Sequence, residues 1–206
     1  MNRYDSSRTL PLLRAGLQPV TAVDALVDVL EGERPQARKA AVLLPLFMQE
    51  GTLHLVFIRR ASTLRAHSGE IAFPGGSYET EDTSLVTTAL RESSEEIGLP
   101  SARVEVLGLL PPVFTVVSNF LITPVVGYLP AGPGQLQAQA SEVAEVLLLP
   151  LPALADPAIA HTEIWTNSGQ TRTVYFYEYG SLRIWGATGR ILHNLLLHLA
   201  PPTHKS

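Results

Sequence analysis

The sequence predicts an α/β protein in which a mixed β-sheet lies between helices. Short apolar runs bounded by turn residues recur along the chain, as strands do. Few segments have the apolar spacing of a helix, and one of them, residues 185–199, closes the chain. A chain of 206 residues is long enough for one good core, so we expect one main domain.

The predicted elements follow from local patterns in chain order. Polar residues 1–19 predict a loosely held lead-in, and residues 21–31 predict a short amphipathic helix that Gly32 ends. Apolar runs predict strands at 40–47, 53–59, 70–73, 104–110, 120–129 and 143–149, the last one buried, with a flexible loop at 131–140. Turn residues at 49–51 and 167–169 predict two hairpins, the second joining strands 161–166 and 172–179. We therefore expect an N-terminal extension at 1–35, a domain at 36–200 and a tail at 201–206.

Composition and charge exclude several classes of function. Hydrophobic residues make up 46% of the chain and charged residues 17%, which is typical of a soluble globular protein. A formal net charge of -4 opposes general binding to nucleic acid. The chain has no cysteine, hence no disulfide framework and no thiol nucleophile. No signal peptide and no membrane-spanning stretch is predicted, so we expect a cytoplasmic enzyme that does not bind membranes.

The chain is organised around residues 75–99, whose second half predicts a helix. Thr83 or Ser84 can cap this helix, and Gly98 can end it. At about 100° per residue the helix carries one apolar stripe, formed by Val86, Leu90, Ser93 and Ile97. A second arc, turned away from the stripe, carries the carboxylates of Glu92, Glu95 and Glu96.

Three carboxylates on one arc repel one another and need a cation nearby. Like charges three or four residues apart destabilise a helix by roughly 0.2–0.5 kcal/mol per pair. Arg91 can neutralise one of them, and a hard divalent cation, Mg²⁺ or Mn²⁺, can satisfy the others. The alternative is a solvated acidic face on a surface helix.

The residues before the helix favour the metal site. The apolar triplet 71–73 is followed by Pro74, Gly75 and Gly76, which predicts a strand that ends in a tight glycine loop. Glycine allows the backbone to approach a ligand closely, so the Gly76 carbonyl can supply one more metal oxygen.

The order of strand, glycine loop, acidic loop and helix resembles the Nudix box of the Nudix hydrolases. The residues that match the family pattern in register are Arg91, Glu92, Glu95, Glu96, Gly98 and Leu99. The loop is one residue longer than the pattern, so Asp82, Glu81 or Glu79 must supply its early carboxylate, and we expect Asp82 to face Arg91. The resemblance implies an α/β/α sandwich and hydrolysis of a diphosphate with the help of Mg²⁺ or Mn²⁺.

A basic loop before the box indicates how a substrate is held. Arg59, Arg60, Arg65 and His67 precede the acidic helix, and arginine forks suit phosphate oxygens. This loop resembles the signature of the coenzyme A diphosphatase subgroup, which residues 114–127 and 184–192 also resemble. The positions that fit the signature are Leu64, Arg65, His67, Gly69, Phe73, Pro74, Gly75 and Gly76. Ile58 and Ala61 stand where a threonine and a serine are usual. The alternative is a solvated loop with surface ion pairs.

The resemblance also implies roles for individual residues. Glu92, Glu95 and Glu96, with the Gly76 carbonyl, are expected to bind the metal. A glutamate that enters a later strand often completes this site, and Glu142 is the candidate, whereas Glu145 is expected to face solvent. We place Glu95, Glu142 and Arg91 in the catalytic group, with the general base left open among Glu95, Glu96 and Glu142.

The expected substrate is coenzyme A or a derivative, bound by a monomer or homodimer. The nearest rival is a Nudix hydrolase of another nucleotide, such as ADP-ribose, a dinucleotide polyphosphate or a damaged nucleoside triphosphate. The rival from another class is an inactive Nudix domain that only binds nucleotides or a partner.

Overall fold

The structure, a computed structural model, describes residues 6–22, 36–63, 67–167 and 169–199. Its α-helices are α1 (Ser6–Gly16), α2 (Leu85–Ile97), α3 (Leu151–Leu154) and α4 (Gly186–Leu199). Its strands are β1 (Arg38–Gln49), β2 (Thr52–Arg60), β3 (Ile71–Ala72), β4 (Gly75–Ser77), β5 (Glu105–Leu109), β6 (Val113–Thr115), β7 (Phe120–Tyr128), β8 (Val143–Pro150), β9 (Ala160–Asn167), β10 (Gln170–Tyr179) and β11 (Leu182–Ile184).

The main sheet is mixed, as the sequence predicts. Its central path runs β3-β2-β1-β7-β5, with β4 also pairing with β1, β6 with β7 and β8 with β2. The pairing of β1 with β7 is parallel, and the other pairings are antiparallel. A second sheet of three strands has the order β11-β10-β9.

The first predicted hairpin is confirmed, and its turn explains its register. Gln49 pairs with Thr52, so Glu50 and Gly51 form a two-residue turn. Both turn residues have positive φ, 50° and 71°, which matches the right-handed twist of the flanking strands. The turn therefore fixes how β1 and β2 align, and β2 ends at Arg60.

Helices cover both faces of the main sheet, which confirms the α/β/α sandwich. One apolar cluster joins α2 to one face, through residues such as Ala89, Ile97 and Val56. The other cluster joins α1 and α4 to the opposite face, through residues such as Leu13 and Leu195. These alternating sets arise because successive strand residues point to opposite faces.

The predicted loose lead-in is wrong for residues 6–16, which form α1. Leu13 is fully buried among core residues, and Leu17 is nearly so. Gln18 then exchanges backbone hydrogen bonds with Leu109 at 2.9 and 3.0 Å. Leu13 and Leu17, four positions apart, therefore anchor this segment to the core. The sequence did not predict the helix because the segment is mostly polar. Of the helix predicted at 21–31, residues 20–22 form a 3₁₀ turn and residues 23–31 lie outside the described residues.

Two further predictions need correction. The predicted glycine loop is the short strand β4, in which Gly76 pairs with Ala41 and Gly75 with Val42. The strand predicted at 143–149 exists, but it is only partly buried, because β8 pairs with β2 alone. Its Leu148 stays 41% exposed.

The described part of the chain offers no membrane span. None of its helices combines the length and the apolar character that crossing a bilayer requires.

Candidate active site

Helix α2 carries most of the site and is capped at both ends. The Ser84 hydroxyl accepts a hydrogen bond from the Thr87 amide at 3.1 Å. Gly98 adopts the left-handed conformation with φ 65°, and its amide donates to the Ser94 carbonyl at 3.0 Å. These two caps satisfy backbone groups that a helix end otherwise leaves unpaired. The capped helix therefore holds its carboxylates at fixed positions against the sheet.

The buried side of α2 is wider than the predicted stripe. Val86, Ser93 and Ile97 are buried as expected, and the Ser93 hydroxyl donates to the Ala89 carbonyl at 2.7 Å. Glu96 is also buried, with 2% of its surface exposed. By contrast, the Glu95 side chain is 60% exposed. The carboxylates predicted to share one arc thus lie in different environments.

Arg91 and Asp82 form a two-pronged ion pair, as expected. The Arg91 Nε donates to Asp82 Oδ1 and its Nη2 to Oδ2, both at 3.0 Å. Asp82 also accepts from the Thr88 hydroxyl at 2.9 Å and the Glu79 amide at 3.1 Å. The Arg91 hydrogen bonds, aided by the other two donors, lower the pKa of the buried Asp82 to about 2. Asp82 therefore stays ionised and fixes the acidic loop to α2.

Arg91 also connects the loop to the other glutamates. Its Nη1 lies 3.1 Å from both Glu92 Oε1 and Glu95 Oε2, and its Nη2 donates to the Ser77 carbonyl at 3.1 Å. One guanidinium therefore holds both glutamates and the end of β4 in place.

Glu96 is the most deeply placed carboxylate of the cluster. It accepts a hydrogen bond from the Gly75 amide at 2.9 Å, and Arg60 Nη1 lies 3.8 Å away. Burial nevertheless dominates and raises the pKa of Glu96 to about 7, and the charges of Glu92 and Glu142 add to the rise. The charged form of Glu96 thus lacks compensation that a bound cation would supply.

Glu92 lies against the backbone of β4 and near Glu142. A side chain at Gly76 would overlap the Glu92 carboxylate, so Glu92 can lie there only because Gly76 has no side chain. Burial raises the pKa of Glu92, with smaller contributions from the charges of Glu95 and Glu142. Glu142 therefore acts electrostatically on both Glu92 and Glu96, from the start of β8.

The carboxylate oxygens of these residues are ligands of the kind that a hard divalent cation binds. Among the described residues, no group of three or more histidine, aspartate or glutamate side chains stands in an arrangement that holds a metal ion. Burial and the charge of Glu142 nevertheless raise the pKa of both Glu92 and Glu96, and carboxylates are the donors that Mg²⁺ and Mn²⁺ prefer. The chemistry of this donor set therefore fits such an ion.

The predicted substrate-binding residues are only partly brought together. Arg60 reaches Glu96, whereas Arg59 pairs with Glu145 at 3.1 Å. His67 lies on the loop after β2, with φ 57°, and its Nδ1 is 2.9 Å from Glu70. Arg65 lies outside the described residues. Glu145 is about half-exposed, as expected.

Sequence reasoning missed three contributions to the site. The Gly75 amide and Arg60 both contact Glu96, and Thr88 supports Asp82. The Arg60 Nε is buried and has no hydrogen-bond partner among the residues that the structure describes, so it offers a donor near Glu96. The alternation of β2 could have indicated Arg60, since Ile58 and Arg60 point to the face that α2 covers.

Comparisons with known proteins identify the family. The model of the NUDIX domain matches residues 37–167. A relative from Photorhabdus laumondii, named uncharacterized Nudix hydrolase NudL, is 41% identical over 158 residues, which cover 77% of this chain and 83% of the relative. A relative of the same name from Pectobacterium atrosepticum is 40% identical over 169 residues, covering 80% and 84%. The structure of the NUDIX domain of Shewanella oneidensis NrtR complexed with ADP ribose is 20% identical, with a TM-score of 0.45 and coverage of 56% of this chain and 74% of that one. The chain belongs to the Nudix family.

Proposed function

We propose that this chain is a divalent-metal-dependent diphosphatase of coenzyme A and its derivatives, which releases 4'-phosphopantetheine and adenosine 3',5'-bisphosphate. The observation that carries the reaction is Glu96, a buried carboxylate with a raised pKa beside Glu92, Glu142 and glycine backbone. The basic loop before the box, with its resemblance to the coenzyme A subgroup, supports the substrate.

Glu92 and Glu96 would hold the metal, with Glu95 and the Gly76 carbonyl as further candidate ligands. When bound, Mg²⁺ or Mn²⁺ neutralises the diphosphate oxygens and lowers the pKa of water. The chain's own contribution is to hold Glu92 against Gly76 and Glu96 against the Gly75 amide, so that both carboxylates are in place before substrate arrives.

We favour Glu142 as the general base. Glu95 is engaged by Arg91 at 3.1 Å, and Glu96 is buried, whereas Glu142 is exposed just before β8 and acts electrostatically on Glu92 and Glu96. Its carboxylate would take one proton from the water that attacks phosphorus, while the bridging P–O bond breaks and the second phosphate leaves. Arg91 would act by positioning Glu92 and Glu95.

Arg60 is suited to the diphosphate itself. Its Nη1 is near Glu96, and its buried Nε has no partner, so a phosphate oxygen could accept that hydrogen bond. Arg59 is occupied by Glu145, and Arg65 and His67 belong to the loop that would reach the 3'-phosphate. If Arg65→Ala leaves the preference for coenzyme A over dephospho-coenzyme A unchanged, Arg65 does not read that phosphate.

The test is mass spectrometry of the products formed from coenzyme A with Mn²⁺. Wild type and the control Glu145→Gln should both yield the two named products, whereas Glu96→Gln should lose at least about 100-fold in rate. A panel with ADP-ribose, dinucleotide polyphosphates and oxidised nucleoside triphosphates separates this proposal from other Nudix substrates. Faster turnover of a panel member would overturn coenzyme A as substrate, and nucleotide binding without any turnover would indicate an inactive domain.

Two accompanying expectations stay predictions. We expect a cytoplasmic protein and a monomer or homodimer.

A further inference from the structure

A groove near the C-terminal end of α2 takes no part in binding the metal or the diphosphate. It has a volume of about 470 Å³ and lies between the loop after β7 and the outer part of β8. Its lining residues are Gly134, Gln135, Leu136, Gln137, Val146 and Leu148. This volume lies within the range of about 300–1,000 Å³ that small-molecule sites occupy.

The loop wall of the groove is fixed to the catalytic helix. The Gln137 amide donates to the Ile97 carbonyl at 3.0 Å, and the Gln139 amide donates to the Glu96 carbonyl at 2.8 Å. Glu142 closes the same loop, with its amide on the Gln139 carbonyl at 2.9 Å. The loop that forms the groove therefore also positions Glu142.

The groove leads away from the carboxylates along one strand. Val146 and Arg60 lie on the face of the sheet that α2 covers, and β8 pairs with β2 from Val143–Arg60 to Val146–Ile58 and beyond. Val146 is four positions past Glu142, roughly 13 Å along the chain. A molecule cleaved beside Glu142 could thus extend one of its ends into the groove.

The chemistry of the residues that line the groove indicates which end of the substrate it can bind. None of the described residues that line it is charged, so it offers nothing to a phosphate-rich nucleotide. Leu136, Val146 and Leu148 supply apolar surface, and Gln135 and Gln137 supply carboxamides that both donate and accept. The 41% exposure of Leu148 follows from the edge position of β8, and it leaves apolar surface that a ligand can cover.

We propose that this groove binds the pantetheine arm of the substrate. The arm is uncharged and carries two amides between short alkyl segments, which match the carboxamides and the apolar side chains. This inference rests on the proposed function, since it needs a pantetheine-containing diphosphate at the acidic cluster.

Leu148→Glu tests the groove, because it adds a charge at an exposed position. Its matched control is Leu197→Glu, which places the same charge on the exposed side of α4. The measurements are kcat and KM for coenzyme A and the inhibition constants of the two products. We expect Leu148→Glu to raise KM and the inhibition constant of 4'-phosphopantetheine at least about 10-fold, while that of adenosine 3',5'-bisphosphate stays within about twofold.

A second variant keeps the test sharp if Leu148→Glu folds poorly. Gln137→Ala should raise the same two constants about threefold, since it removes only a side-chain amide. If wild type cleaves coenzyme A but both products lose affinity equally, or neither does, the groove assignment is wrong and the proposed function stands. If wild type does not cleave coenzyme A, both are overturned.

Discussion

Glu96 combines burial, a hydrogen bond and two acidic neighbours in one side chain. Its folded-state pKa of about 7 exceeds the ordinary value of 4.5, so the folded protein holds this proton more tightly than the unfolded chain. The stability that this proton supplies is full below pH 4.5 and is lost as the pH rises through 7. The loss amounts to about 3 kcal/mol.

The unfolding free energy of metal-free Glu96→Gln should therefore not decrease in this way as the pH rises. In urea unfolding with EDTA, wild type should lose about 3 kcal/mol of unfolding free energy between pH 5 and pH 8, and the variant should lose much less. Glu145→Gln, an exposed acid nearby, should behave like wild type. If the unfolding free energy of wild type and of Glu96→Gln depends equally on pH, Glu96 does not have the raised pKa.

Asp82 has the opposite pKa shift and the opposite role. Its pKa of about 2 lies below the ordinary 3.8, so its contribution is present above pH 3.8 and is lost as the pH falls through 2. Asp82→Asn should cost about 1–3 kcal/mol at pH 7, because it breaks a buried pair with Arg91. Thermal unfolding of both variants measures this. The control is its exposed neighbour, since Glu81→Gln should change the midpoint of unfolding by less than about 2 °C. Similar losses in both variants would contradict this role.

At the scale of single residues, the sequence predicted which residues form the site better than it predicted how deeply each side chain is buried. The pairing of Asp82 with Arg91 could be expected from the resemblance to the Nudix box, and it is confirmed. The different burial of Glu95 and Glu96 could not, since adjacent helical residues differ by only about 100° and the sheet decides which of them is covered. The contact of Arg60 with Glu96 depends on strand pairing that joins distant residues.

The short strand β4 acts on the site through the space that its glycines leave. Gly76→Ala should push the Glu92 carboxylate out of place, because the new methyl group would overlap it. We expect at least about a 10-fold loss of kcat/KM with Mn²⁺, with Ser77→Ala as the adjacent control. Full activity in Gly76→Ala would mean that Glu92 need not lie against β4.

Element types were predictable where the pattern was long. The strands at 38–49 and 120–128 and helix α4 matched their predicted places to within a few residues. The sequence predicts a loop at β4 because glycine is a weak strand former. Its pairing with β1 comes from the fold around it. The small strands β6 and β11 were missed because three residues are too few to show a period of two.

At the scale of the whole molecule, α1 belongs to the same core as the domain it precedes. Leu13 is fully buried, whereas Leu12 is 55% exposed. Leu13→Ala should therefore lower the unfolding free energy by about 2–5 kcal/mol, and Leu12→Ala by less than about 0.5 kcal/mol. Chemical denaturation of the two variants checks this. Equal effects would mean that α1 does not pack on the core.

The sandwich as a whole was predictable, and the place of the N-terminal segment was not. Mixed strands with helices at intervals imply covered sheet faces, which is what the clusters on both faces show. Leu13 and Leu17 fix α1 to the core, although the segment around them is polar. The sequence does not show that the core has a surface on which these two leucines can pack. The division at residue 35 stays a prediction.

The central claim is that Glu92 and Glu96 together bind the divalent cation. An electron paramagnetic resonance titration with Mn²⁺, without substrate, measures this most directly. Wild type and Glu145→Gln should bind with the same affinity, whereas Glu96→Gln should bind at least about 10-fold more weakly. Equal Mn²⁺ affinity in all three proteins would contradict the account.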